Sequence, residues 1–178
     1  MTRDMLMSHP SPDNVRIVQT VRCVTHTFGH PHFRVLNDYA RSESASALAL
    51  SSRNSYLTPR ERHIAAPALH AALLVAKNAW QNGMNKQRCI SDAQAVIKNV
   101  AEKVRSDGND SIHVKLDYIE MNDPDSFDAL SEDTTRTEWE SNGVQGRAVL
   151  LSGAMWVGKT RLIDNLILGD ARQLGITE

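Results

Sequence analysis

Two consecutive amphipathic stretches between Thr58 and Gly108 restrict this chain more than any other feature. Thr58-Pro59-Arg60-Glu61 reads as a helix start. Thr58 can cap, Pro59 suits the first helical position, and Glu61 stands where a capping-box carboxylate belongs. Pro67 should interrupt or kink this helix, because its ring removes a donor and clashes one turn back. Beyond it Leu69, Leu73, Ala76 and Trp80 recur at i, i+4, i+7 and i+11, one apolar face, and Asn82-Gly83 ends the run. A second helix is expected to open at Ser91 with Gln94 three residues on. It would bury Ile97, Val100 and Val104 and stop at Ser106-Asp107-Gly108.

Strand signals follow. Residues 112–121 alternate apolar and polar side chains over their first half, and Asn122-Asp123-Pro124 is a turn. Residues 131–146 are polar and read as loop. Two more apolar runs, Ala148-Val149-Leu150-Leu151 and Leu162-Ile163, lie near the end. Two helices beside a small sheet give an α+β class, helices packed on a short antiparallel sheet. The apolar share of 41 % can fill such a core, but aromatics are only 5 %, so Ala, Leu and Val must do most of the filling. Residues 1–50 differ. A strand-like run, Val15-Arg16-Ile17-Val18, precedes a stretch from Cys23 to Ser46 with no sustained period, which reads as an irregular insertion.

Charge and cysteine usage narrow the function. Twenty basic residues against twenty-one acidic ones lack the basic surplus of a nucleic-acid binder. Two cysteines, Cys23 and Cys89, are too few for a disulfide framework. No apolar run reaches the roughly 18 residues of a membrane span. The N-terminus has no signal-peptide pattern, so a cytoplasmic location is the default expectation.

Three stretches could carry chemistry. Gly153-Ala154-Met155-Trp156-Val157-Gly158-Lys159-Thr160 matches the phosphate-loop pattern. Such a loop needs further βα units, and Met155, Trp156 and Val157 are bulky for a chain that must wrap a phosphate. The expectation is therefore a strand–turn–strand, with a P-loop NTPase as a remote alternative. Cys23, His26, His30 and His32 fall within ten residues, but their spacing fits no standard zinc framework, and no metal site is assigned. Leu50-Ser51-Ser52-Arg53-Asn54 sits between an apolar run and the capped helix. Two hydroxyls and a guanidinium fork can hold a polyphosphate, and an ordinary polar loop is the competing reading.

The run Ala-Leu-Ala-Leu-Ser-Ser-Arg-Asn-Ser-Tyr-Leu, residues 47–57, resembles the signature of pantothenate synthetases (pantoate–β-alanine ligases), usually Gly-Leu-Ala-Leu-Ser-Ser-Arg-Asn-x-Tyr-Leu. Asp117-Tyr118-Ile119-Glu120 resembles a strand of that family's C-terminal domain. Thr160-Arg161-Leu162-Ile163-Asp164-Asn165 resembles its near-terminal motif, and Ile17-Val18-Gln19-Thr20-Val21-Arg22 the strand that ends its nucleotide-binding domain. The resemblance covers residues 1–22 and 47–170. It implies a two-step ligation in which pantoate attacks ATP, assisted by Mg2+, to give pantoyl adenylate and pyrophosphate, and β-alanine then displaces AMP. It further implies that Leu50, Ser51, Ser52 and Arg53 contact ATP and that Val21 lines the adenine pocket. Arg53, the one residue given a catalytic role, would offset charge on the leaving pyrophosphate.

The resemblance divides the chain into 1–22, a remnant of an α/β nucleotide-binding domain, an insertion at 23–46, and a C-terminal ligase domain at 47–178. Two departures stand out. The family's N-terminal domain is almost entirely absent, and 23–46 replaces what is usually a short turn. Together they read as a truncated or mis-spliced gene of fungal type. The family is homodimeric through the half that is largely missing here. The expectation is that this chain alone gives no measurable pantoate-dependent pyrophosphate exchange, with a non-catalytic partner of a complete synthetase as the alternative.

Overall fold

A computed structural model describes residues 52–106, 112–141 and 146–170. A 3₁₀ turn, Ser52–Tyr56, leads into helices α1 (Pro59–Ile64), α2 (Ala68–Gln81) and α3 (Lys86–Ser106). Strand β1 (Val114–Asn122), a short helix α4 (Arg136–Ser141) and strands β2 (Val149–Val157) and β3 (Thr160–Leu168) follow. The strands make one antiparallel sheet in the order β1-β2-β3, and α2 and α3 pack on it. The α+β arrangement of helices on a short antiparallel sheet is therefore present. The remnant at 1–22 and the insertion at 23–46 lie outside the described residues.

The start of α1 forms its capping box in both directions. Thr58 N donates to Glu61 Oε2 at 2.8 Å, and Glu61 N donates to Thr58 Oγ1 at 3.2 Å. Such a cap stabilises by about 1 kcal/mol. Pro67 divides α1 from α2, and Leu69, Leu73, Ala76 and Trp80 are all buried as their spacing requires.

Helix α3 opens at Lys86 rather than Ser91, which corrects the sequence reading. Asn85 supplies the start: its Oδ1 accepts from Arg88 N at 3.0 Å. Lys86 is itself buried, with its ammonium 2.7 Å from Leu130 O, 2.7 Å from Glu120 and 3.1 Å from Glu132. Burial pulls its pKa down, but the two carboxylates outweigh that and leave it raised. A buried ion group of this kind has no periodic apolar signal, so the first turn passes for loop. A second correction lies in 131–146, where α4 forms because Thr135 and Glu138 make another reciprocal cap. Its Trp139 ring lies 3.8 Å beneath the Arg147 guanidinium, which also pairs with Asp123 at 2.8 Å.

Strand β1 begins at Val114, and its alternation slips where the pairing to β2 is irregular, between Leu116 and Tyr118. Asp117 and Tyr118 are consecutively exposed, after which Ile119 and Met121 return to the core. Strands β2 and β3 pair without interruption from Val149↔Leu168 to Val157↔Thr160. Gly158 carries φ +57 at the first central position of the two-residue turn between them, and Lys159 has no positive φ, the pattern of a type II′ hairpin. Among the described residues, a core of Leu73, Met121, Leu151, Met155 and Val104 fills the space between sheet and helices.

Candidate functional site

The 3₁₀ turn is where the Ser-Ser-Arg stretch meets the folded layers. Leu57, just past it, is 3 % exposed and belongs to the core, which fixes the end of the turn. Leu57 N closes back on Asn54 O at 3.2 Å. From α1 the Arg62 guanidinium reaches the same carbonyls, with Nη2 donating to Asn54 O at 2.7 Å and to Leu57 O at 3.3 Å. Its Nε is buried with no hydrogen-bond partner among the described residues, a loss of about 1–3 kcal/mol. Arg62 is thus kept for its grip on the turn, at some expense elsewhere in the same side chain. The turn also packs against β3.

Strand β3 carries the second polar feature. Its inward side chains are Thr160, Leu162, Asp164, Leu166 and Leu168, and Asp164 is the only charged one. The buried side chains of α2 are Ala68, Leu69, His70, Ala72, Leu73, Ala76 and Trp80, with His70 the only polar one. These two exceptions meet: His70 Nδ1 lies 3.0 Å from Asp164 Oδ2. Asp164 Oδ1 accepts from Asn165 N at 2.9 Å.

The site residues named from sequence stand as follows. Val21, Leu50 and Ser51 lie outside the described residues. Ser52 and Arg53 open the 3₁₀ turn, where their backbone is described. The structure adds Arg62, His70 and Asp164. Arg62 was readable only as a solvated helix residue, and His70 as a flank of an apolar stripe. Asp164 stood inside a matched motif, with nothing in the sequence to give it a task.

Two hydroxyls and a guanidinium suit polyphosphate oxygens by their donor chemistry. The carboxylates that frame the turn are committed: Glu61 to Thr58 N and Asp164 to His70. A separate hollow of about 550 Å³ is lined by Asp123, Asp128, Asp133 and Glu138. That wall repels phosphates.

The phosphate-loop match at 153–160 has no loop to offer. Residues 153–157 are paired on both sides within β2. A side chain at Gly153 would sit 3.1 Å from Leu69 Cδ1, so this glycine lets α2 approach the sheet. The P-loop NTPase reading is thereby corrected: the backbone N–H groups it needs are spent on the ladder. The cluster Cys23, His26, His30 and His32 lies outside the described residues.

Comparison with known proteins places these features in context. The family profile described as pantoate-beta-alanine ligase matches residues 15–167. The chain is 30 % identical over 168 residues to the pantothenate synthetase of Hyphomonas neptunium, covering 90 % of this chain and 50 % of that protein. It is 36 % identical over 122 residues to that of Thermotoga neapolitana, covering 68 % of this chain and 35 % of that protein. A crystal structure of pantothenate synthetase from Thermus thermophilus is similar with a TM-score of 0.47 and 28 % identity, covering 67 % of this chain and 34 % of that one. The chain thus spans between about a third and a half of the length of the curated relatives it matches.

Proposed function

The chain belongs to the pantoate–β-alanine ligase family, and on that premise we propose that it serves the ATP-dependent ligation of pantoate to β-alanine through a pantoyl adenylate. In this reading residues 47–178 are the C-terminal ligase domain and 1–22 belong to the nucleotide-binding domain. The working place is the cytoplasm. No helix among the described residues is long and apolar enough to cross a membrane.

Ser51, Ser52 and Arg53 hold the phosphates of ATP, and Leu50 and Val21 lie against the rest of the nucleotide. Magnesium arrives with the nucleotide and neutralises its phosphate oxygens. Arg53 acts by electrostatics: its guanidinium meets charge that grows on pyrophosphate as the bond to the α-phosphorus breaks. Such a contact strengthens along the reaction and therefore speeds it. The observation that carries the reading is the anchoring of the Ser52–Tyr56 turn. Arg62 holds its carbonyls from one side and β3 supports it from another, so the turn itself is a fixed base. A base of this kind limits the positional looseness that costs an enzyme rate.

The test grafts residues 47–178 in place of the matching part of the Thermotoga neapolitana pantothenate synthetase. Pantoate-dependent ATP–pyrophosphate exchange is then measured with and without Arg53→Ala. The graft should support exchange, and the substitution should lower its turnover by about 10²–10³. An Arg53→Ala graft that exchanges as fast as its parent contradicts the assignment.

A further inference from the structure

The His70–Asp164 pair is expensive where it stands. Replacing both partners of a buried hydrogen bond by apolar side chains of similar shape is often neutral or stabilising, so its presence in an otherwise apolar seam calls for a task. Its position in the fold supplies one. The Ser52–Tyr56 turn touches two elements, α1 through Arg62 and β3 through packing. Helix α1 continues into α2 through Ala65 and Ala66, both buried, and α2 reaches β3 through His70 and Asp164. Turn, α1, α2 and β3 therefore form a closed ring of contacts. Within that ring the His–Asp bond is a polar link between helix layer and sheet. Among the described residues β3 pairs with β2 alone, so its other edge, beside the turn, is held by side chains rather than by a ladder.

We propose that His70 and Asp164 are positioning residues that lock β3 against α2 and thereby hold the Ser52–Tyr56 turn in one geometry. Apolar contacts alone fix distance without fixing register along the strand. A hydrogen bond from one ring nitrogen to one carboxylate oxygen fixes both. The pair acts through the turn and touches no substrate. The proposal rests on the reading that this turn serves the triphosphate, but its test does not depend on activity.

The test is backbone amide hydrogen exchange on the full chain, wild type against His70→Phe and His70→Asn, with and without MgATP. Phenylalanine keeps the bulk and removes the hydrogen bond, whereas an asparagine amide can donate from about the place of Nδ1. His70→Phe should raise exchange at residues 52–57 at least about tenfold while residues 151–155 of β2 stay unchanged, since local opening is separable from global unfolding. His70→Asn should stay within about threefold of wild type. Wild-type rates at 52–57 in His70→Phe overturn the proposal, and so does an equal rise in β2, which would mean the pair merely stabilises the core. If His70→Phe fails to fold, Asp164→Leu, which keeps the bulk and removes the acceptor, must show the same selective opening, and wild-type protection in it is equally fatal. Protection of residues 52 and 53 by MgATP in the wild type reads the nucleotide assignment separately. Its absence beside an intact selective opening would contradict that assignment and leave the lock standing.

Discussion

Residues 51–53 and residues 153–160 both look like phosphate binders in the sequence, and the louder match is the one that folds into something else. The segment Gly153 to Thr160 satisfies an eight-position pattern, yet its glycines answer to packing and to a turn. Gly153 makes room for Leu69, and Gly158 takes the positive φ that a two-residue hairpin demands. The Ser-Ser-Arg stretch satisfies a weaker pattern. The Ser52–Tyr56 turn at its end runs into a core leucine and a capped helix, and Arg62 holds the carbonyls of Asn54 and Leu57. What separates them is the fate of the backbone. In the hairpin every N–H from 153 to 157 belongs to a strand paired on both sides, so no cradle can form. A motif of residue types says nothing about binding until its peptide groups are accounted for.

This contrast can be broken by substitution. The largest effect is expected at Arg53, where alanine should cost about 10²–10³ in turnover of the grafted ligase with little change in melting temperature. A loss confined to KM would mean that the guanidinium contributes uniform binding and no more. Next comes the hairpin as scaffold. Leu151, 0 % exposed in β2, should cost about 2–5 kcal/mol on truncation to alanine, read as a shifted denaturant midpoint. A near-neutral result would show that the sheet is not the platform described.

Gly158→Ala sharpens the point at the turn. The new Cβ must adopt φ +57 and would lie 2.5 Å from Glu61 Oε1. The expected loss is about 1–2 kcal/mol, with nucleotide affinity unchanged. Smallest of all should be Lys159→Ala. This exposed residue at the hairpin tip is the lysine that a phosphate loop could not spare, yet its removal should change stability by no more than about 0.5 kcal/mol.

Much of the fold was readable because its signals are local. Thr58, Pro59 and Glu61 announced α1, the stripe Leu69, Leu73, Ala76 and Trp80 announced α2, and the hairpin followed from bulk beside a Gly-Lys turn. The misses share a cause. The first turn of α3 is held by buried Lys86 and its two glutamates, α4 by a polar cap, and the slip in β1 by one extra residue. None of these alters apolar periodicity. The candidate site was legible only as residue types, Leu50 to Arg53. Of the supports proposed for it, Arg62 acts from the next helix, and His70 and Asp164 lie 94 positions apart.

The claim that phosphate is handled at the Ser-Ser-Arg stretch and not at the hairpin is tested most directly by titrating MgATP into the full chain and following assigned backbone amide resonances. The account predicts shifts at Ser52 and Arg53 that disappear in Arg53→Ala, with residues 158–160 silent and Lys159→Ala binding as the wild type does. Shifts centred on 158–160, or binding lost on removal of Lys159, would contradict it.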